Sequence, residues 1–451
     1  MEGAVGIGNH QGSNASTEIG SENTENQKEA NTSNEKKIQN ERLVDDLKLM
    51  IKEPVPPLSI EGHIRRIPDH LRQVKEKAYT PTTISIGPIH HCKNKFQIME
   101  TCKVRYFKSF ISRTRINSEN LVSTISDMEE RIRSFYVVAT LPSRHEFVKM
   151  ILVDAVFILE LFYRDSKEDK DMNDLILTGQ SWPIKCDLML LENQIPFFVF
   201  EKLSDLIPCP SNSYPFIRLT FSFFNYFNVE KIIDPIGEIK HFTDLIRTFQ
   251  IPQLIFLPAR RSTEKFTLSF SATQLHEAGV KFKVSSSKCL ADITFEFANG
   301  VLEIPCLELY DGTETLIRNV MALEQYCYPT NRYVTDYFGF LDDLINTTED
   351  MDLLCNNKIV IHHLGENNAA TSFFNNLNTN ITIPGFYSNY NDICQNLNKF
   401  CEKPWHKWRA MLRHQYFSTP WRAASTIAAI ILLVFTFIQT VCSIIQIVPI
   451  V

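Results

Sequence analysis

Glycine is scarce in this chain, at 15 of 451 residues, about half the usual share of roughly 7%. Folds that cradle phosphates on glycine-rich loops therefore start at a disadvantage, and neither G-x-x-x-x-G-K-[ST] nor G-x-G-x-x-G occurs. G-x-S-x-G and H-E-x-x-H are missing too, so the α/β-hydrolase elbow and the zincin helix lack their motifs. The 11 cysteines include no C-x-x-C, which removes zinc-ribbon pairs and a thioredoxin-type redox motif. Spread singly from Cys92 to Cys442, they read as inert buried thiols in a reducing compartment. Positive charge is in deficit: the net charge of −6 leaves no cationic excess to displace phosphate counterions, so nucleic acid is not an expected partner. The first 40 residues hold no apolar run for a signal peptide and no arginine-rich amphipathic pattern. Glu2 stands where N-myristoylation needs glycine.

What is present is a globular composition, 44% apolar and 22% charged, with 32 phenylalanines that predict aromatic cores. The length exceeds the roughly 250–300 residues at which one core stops growing. Residues 1–40, rich in Asn, Glu, Ser, Thr and Lys, bury too little apolar surface to offset their ordering entropy and are expected to be disordered. A globular body is expected over 41–415.

From Ala423 to Val451 there is no charged residue across 29 positions. About 20 apolar residues suffice for a helix to cross a bilayer core of roughly 30 Å. The sequence therefore predicts a transmembrane helix over 421–448, running through Ala423, Ile431, Val441 and Ile445, with the lipid bilayer as partner. Trp421 and Arg422 sit where an interfacial aromatic and a snorkelling cation belong. Arg409 and Arg413 add to the basic flank before it, and nothing basic follows. By the positive-inside rule the body is expected in the cytosol, as a single-pass, tail-anchored protein of the plasma membrane or an endomembrane. Four Asn-x-Ser/Thr sequons, at Asn14, Asn31, Asn346 and Asn380, point weakly the other way.

Between these ends the pattern is mainly helical. Residues 41–60 read as a helix stopped by Pro54, Pro56 and Pro57. Further helices are expected over KFQIMETCKVRYFKSFISRT and Ser118–Tyr136. Ser143 and Glu146 form a capping box opening a helix over Arg144–Tyr163, apolar nearly all round and so central to a core. After Pro252, FTLSF, VKFKV and ITFEF alternate with period two. Asn299-Gly300 reads as the hairpin turn from ITFEF into VLEIPCLEL, with SATQLHEAG as an inserted short helix. Helices return in ETLIRNVMALEQYC, RYVTDYFGFLDDLIN and ATSFFNNL. The fold class is α+β: a predominantly α-helical body with one small antiparallel sheet at 266–310, plus the C-terminal transmembrane helix.

Several long blocks in order, among them TISIGPIHHCKNKFQIMETCKVRYF, DLMLLENQIPFFVFEKL, LINTTEDMDLL and TPWRAASTIAAIILLVFTFIQTVCSII, resemble the plant family known as domain of unknown function 247. The resemblance covers roughly Ile60 to Ile445. It implies a plant protein with one C-terminal span and no established activity; some grass members are associated with pollen self-incompatibility.

Candidate chemistry rests on polar residues set in apolar blocks. Asp154 and Glu160 lie six apart on the central helix, on different faces. Burial would raise their pKa values toward acid–base range, yet pairing with an arginine such as Arg105 or Arg318 is the expected fate. Glu192, Asn193 and Gln194, just before Pro196, line a pocket or, more simply, serve a helix end. His90-His91-Cys92 and His362-His363 have the wrong spacing for metal ligation from one element. Cys92 or Cys102 with a neighbouring histidine offers a nucleophile that nothing favours. Glu349–Asp352 read as an acidic first helical turn capped by Thr347 or Thr348. No catalytic, cofactor or metal residue is assigned. The expected function is a membrane-tethered interaction or signalling module with an unknown protein partner. An unrecognised hydrolase-like enzyme, using buried carboxylates or histidines, is the alternative.

Overall fold

The computed structural model describes residues 36–49, 51, 62–91, 94–167, 179–208, 215–229, 231–233, 237–251, 267–290, 292–381, 389–403 and 420–447. Its contacts divide the chain into Met1–Ser59 and Ile60–Val451. In the first unit the described residues form a solvent-exposed helix over 36–49, beginning somewhat before the expected start. Of residues 1–40, expected to be disordered, 1–35 fall outside the described residues and 36–40 belong to this helix.

The second unit is built around the helix Arg144–Asp165, where only the ends meet solvent and fourteen residues are buried. Ser143 caps it as expected, its hydroxyl bonding the Glu146 carboxylate at 3.0 Å. Its most extensive neighbour is Gln97–Thr114, and Ser118–Asp127, Phe197–Asp205 and Phe216–Phe223 complete its surround. The phenylalanine excess is spent here. Phe162 meets Phe223 at 4.3 Å between ring centroids, Phe242 at 5.6 Å, and Phe216 and Phe224 at 5.9 Å each. Each such ring is worth roughly 1.5–3 kcal/mol of burial, so the cluster anchors two further segments, 216–224 and the helix Phe242–Phe249, on one helix.

The expected hairpin forms, Thr294–Glu296 antiparallel to Val301–Ile304, with the turn over 297–300 closed by Gly300 at φ +63°. A side chain there would bring Cβ within 2.6 Å of the Phe400 ring, so the turn needs glycine. The third strand corrects the wholly antiparallel expectation: Lys281–Val284 joins the other edge of Val301–Ile304 in parallel. The most apolar strand takes the centre, with Val301, Leu302 and Ile304 buried. FTLSF is no strand over its described residues. Helix side chains take its donors instead: Asp343 accepts from the Leu268 N–H at 3.3 Å and Asn398 from Ser269 at 3.1 Å. VLEIPCLEL is also cut, because Pro305 cannot donate to a ladder. Leu307–Leu309 leaves to pair in parallel with Val360–His362. A further parallel pair joins Ile64–Arg65 with Tyr136–Val137.

The expected helices appear at Thr313–Cys327, Tyr333–Leu344, Thr348–Asn356 and Asn367–Leu377. Thr347 caps the third of these in a reciprocal capping box with Asp350, as the TED acids implied. The last helix runs Pro420–Ile447 and contains Trp421, Arg422, Ala423, Ile431, Val441 and Ile445. Its stretch Ala424–Ser443 is long and apolar enough to cross a membrane, and none of it is buried against the rest of the protein. Arg409 and Arg413 lie outside the described residues.

Candidate functional site

Residues Thr82–His90 run through the interior without joining a sheet, so their backbone donors need side-chain acceptors. Asp187, at the end of the helix Ser181–Leu188, accepts from the N–H groups of Thr82, Thr83 and Ile84 at 2.9, 2.6 and 2.8 Å. Asn193 accepts from Ile86 at 2.6 Å and donates to the Ile84 carbonyl at 3.1 Å. Asp154 accepts from Gly87 at 2.9 Å and pairs at 2.6 Å with Lys103, which also donates to the Ser85 carbonyl at 2.5 Å. Gly87 sits at φ +69°, and a Cβ there would lie 2.6 Å from the Gln194 carbonyl oxygen. The strap is thus sewn into the core by polar side chains from three other segments.

Glu192 ties its far end. One carboxylate oxygen accepts from the Ile67 N–H at 2.6 Å and from Arg72; the other meets His90 Nε2 at 2.7 Å. Against the cost of burial, these three partners hold Glu192 below the ordinary carboxylate range. Gln194 donates to the carbonyls of Leu188 and Leu190 at 2.6 and 2.7 Å and accepts from the Phe242 N–H at 2.9 Å. The triplet therefore serves a helix end and its neighbours, as its simpler reading held.

Burial raises Asp154 and Asp187 above the usual range, opposed by Lys103 for the first and by the strap's N–H groups for the second. The arginine pairing expected for the central-helix acids holds for Glu160, with arginines other than Arg105 or Arg318, and not for Asp154. Lys103 takes Asp154, while Glu160 is held by Arg113 at 2.8 Å and Arg164 at 2.9 Å. Arg318 pairs with Glu314 one turn away. Sequence reasoning also missed Glu324, fully buried, which accepts from Arg247 and from the Val334 and Thr335 N–H groups that open the helix Tyr333–Leu344. Its signal was the charge itself, lone in the apolar turn NVMALEQ.

The histidine pairs go to different partners. His90 bonds Glu192, His362 bonds Asn367 at 2.5 Å, and His363 stacks on Tyr310 with centroids 4.6 Å apart. Cys92 lies outside the described residues, and Cys102 is half-buried. Among the described residues no group of three His, Cys, Asp or Glu side chains is placed to hold a metal ion.

An open cavity of about 540 Å³ lies elsewhere, and none of these candidates lines it. Met189, Ile317, Val320 and Phe338 form a buried apolar floor; Trp182 and Tyr226 stand in its wall. Glu308 and Tyr310 line it together, the Tyr310 hydroxyl donating to Glu308 at 2.6 Å. Cys186 and Cys306 also face it, but burial pushes Cys186 up to about 11 and raises Cys306, so neither is a thiolate at neutral pH. Trp182 was the one legible hint: the other three tryptophans, at 405, 408 and 421, fall near the C-terminus.

Comparison with known proteins places the chain in a sequence context. The family DUF247, described as a plant protein of unknown function, matches residues 64–435. UPF0481 protein At3g47200 of Arabidopsis thaliana is 28% identical over 442 residues, covering 88% of this chain and 90% of that protein. Putative UPF0481 protein At3g02645 of the same plant is 22% identical over 479 residues, covering 83% and 89%. No solved structure matches.

Proposed function

This chain belongs to the DUF247 family of plant proteins, and on that premise we propose that it is a membrane-tethered interaction module whose polar core serves the fold rather than a reaction. The observation that carries the reading is the use made of the buried carboxylates. Asp154, Asp187, Glu192 and Glu324 each accept from backbone N–H groups of a different segment. An acid that satisfies buried backbone donors in this way is accounted for by the fold.

The tether is the helix Pro420–Ile447. A core helix of a soluble domain would be buried, and this one is not. Three of its hydroxyls are satisfied within the helix, Thr436 on Leu432, Thr440 on Thr436 and Ser443 on Gln439, at 2.7–2.8 Å, as a hydrocarbon surround requires. With Arg409, Arg413 and Arg422 before the span, the body sits on the cytosolic side of the plasma membrane or an endomembrane, where it engages a protein partner.

The test is fractionation of the full-length chain in sealed plant microsomes. Alkaline carbonate should leave it in the pellet, and added protease should digest the body while sparing the span. Release by carbonate sinks the tether. Glycosidase-sensitive sugar on Asn346 or Asn380 sinks the orientation.

A further inference from the structure

We propose that the cavity beside Trp182 binds a flat aromatic small molecule carrying a hydroxyl or amino donor, which it presents to the free oxygen of Glu308. The inference rests on the body being a binding module and goes beyond it by naming a site and a ligand class. The volume, about 540 Å³, falls within the roughly 300–1,000 Å³ of small-molecule sites. The floor offers a bound water few hydrogen-bonding partners, so an apolar body is favoured over solvent.

The wall argues for an aromatic occupant. Trp182 packs edge-on against Tyr226 at 5.3 Å and stacks on Phe227 at 5.9 Å. Yet Trp182 and Tyr226, both in the cavity lining, remain 45% and 53% exposed. Tyr310 meets the edge of Tyr226 at 6.2 Å and is backed by His363, which fixes its plane. Uncovered ring faces and edges favour an aromatic partner by about 0.5–1.5 kcal/mol beyond area.

The polar groups argue for a donor head. Tyr310 spends its proton on Glu308 Oε2, so it cannot donate to a ligand. Among the described residues no donor reaches Glu308 Oε1, and no cation lies within ion-pair distance of that carboxylate. The polar group nearest the Tyr310 ring is thus an exposed charged acceptor, which accepts from a hydroxyl or amine and repels a carboxylate. Lys288 also lines the cavity and is exposed, and the hydroxyls of Ser285, Ser286 and Ser287 line it too; these groups would favour an acid, so an acid belongs in the test.

The full-length chain in phosphatidylcholine nanodiscs is titrated with 2-naphthol, 2-methoxynaphthalene and 2-naphthoate, and binding is read by ligand-observed saturation-transfer NMR against empty nanodiscs. We expect 2-naphthol to bind at least tenfold tighter than the other two. Glu308→Ala should erase that preference. Gly312 lines the cavity with an ordinary φ of −81°, and a Cβ on it meets nothing closer than Cys186 Sγ at 3.8 Å. Gly312→Phe should therefore fill the space and abolish binding; Trp182→Ala, on an exposed side chain, should weaken it at least fivefold should the first variant fail to fold. Equal binding of the methoxy compound, or tighter binding of the naphthoate, overturns the donor assignment. No protein-dependent binding, or binding untouched by both cavity variants, overturns the site. Neither result bears on the tether, which is read by fractionation.

Discussion

Replacing Asp154 by Asn separates a structural carboxylate from a catalytic one. In the native protein Asp154 and Lys103 are 2% and 0% exposed and 2.6 Å apart, with the second carboxylate oxygen on the Gly87 N–H. Removing one member of a buried pair leaves the other uncompensated, at about 3–5 kcal/mol. Two features pull the figure to the low end. Asn keeps an oxygen for Gly87, and Lys103 retains Glu100 at 2.6 Å, although that carboxylate is 41% exposed. We therefore expect Asp154→Asn to cost about 3 kcal/mol. Lys103→Met alone should cost less, because burial already holds the Asp154 carboxyl above its ordinary range and eases its neutralisation. The double variant should cost less than the two single variants summed, by about 1–3 kcal/mol, the signature of a direct pair. The assay is guanidinium unfolding of the full-length chain in detergent, followed by circular dichroism, with protein abundance and phenotype scored in plants for each variant. Stability within about 0.5 kcal/mol of the native chain, at normal abundance but without function, would refute the structural assignment and promote an enzyme.

The same logic yields a pH dependence and a steric test. His241 is fully buried with Nδ1 accepting from the Asp244 N–H at 3.2 Å, and burial depresses its pKa from 6.5 to about 4 despite the Asp244 charge. The unfolded imidazole thus gains its proton first, so its contribution is complete above pH 6.5 and is lost as pH falls toward 4, on the order of 3 kcal/mol in all. Asp336, raised to about 7 chiefly by burial, works in the opposite sense, favouring the fold at low pH and losing that contribution as pH rises through 7. Denaturation midpoints measured from pH 7.5 to 4 should fall less steeply in His241→Asn than in the native chain; an unchanged slope removes His241 as the cause. Gly87→Ala should cost about 2–4 kcal/mol, from the disfavoured left-handed φ and the 2.6 Å approach to a backbone oxygen that cannot swing aside. Native-like stability by thermal unfolding would show that the strap yields at this point.

The strap explains why a run such as TISIGP carries so little secondary structure. Its donors are met by Asp187, Asn193 and Asp154 in place of a neighbouring strand. Polar residues in apolar blocks look like chemistry when read along the chain. In three dimensions they substitute for a missing sheet.

Periodicity and capping were legible because they are local. The helix over Arg144–Asp165, its Ser143 cap, the Thr347 box and the Gly300 turn each depend on residues within four positions of one another. The charge-free terminal stretch is equally local, since length and composition alone decide whether a helix can span a bilayer. Pairing is different. The sequence could mark Asp154 and Glu192 as buried acids without naming Lys103, Arg72 or His90, because burial is set by neighbours in sequence and partners by the path of the chain. The bond from Asn319 to the Ala78 carbonyl spans 241 residues, and Glu192 reaches Ile67 across 125. The same holds for FTLSF, whose strand pattern loses to acceptors on two distant helices, and for the parallel addition of Lys281–Val284. The cavity is the extreme case. Trp182, Tyr226 and the neighbours Glu308 and Tyr310 come from three separate segments, and only the packing of those segments leaves a space between them.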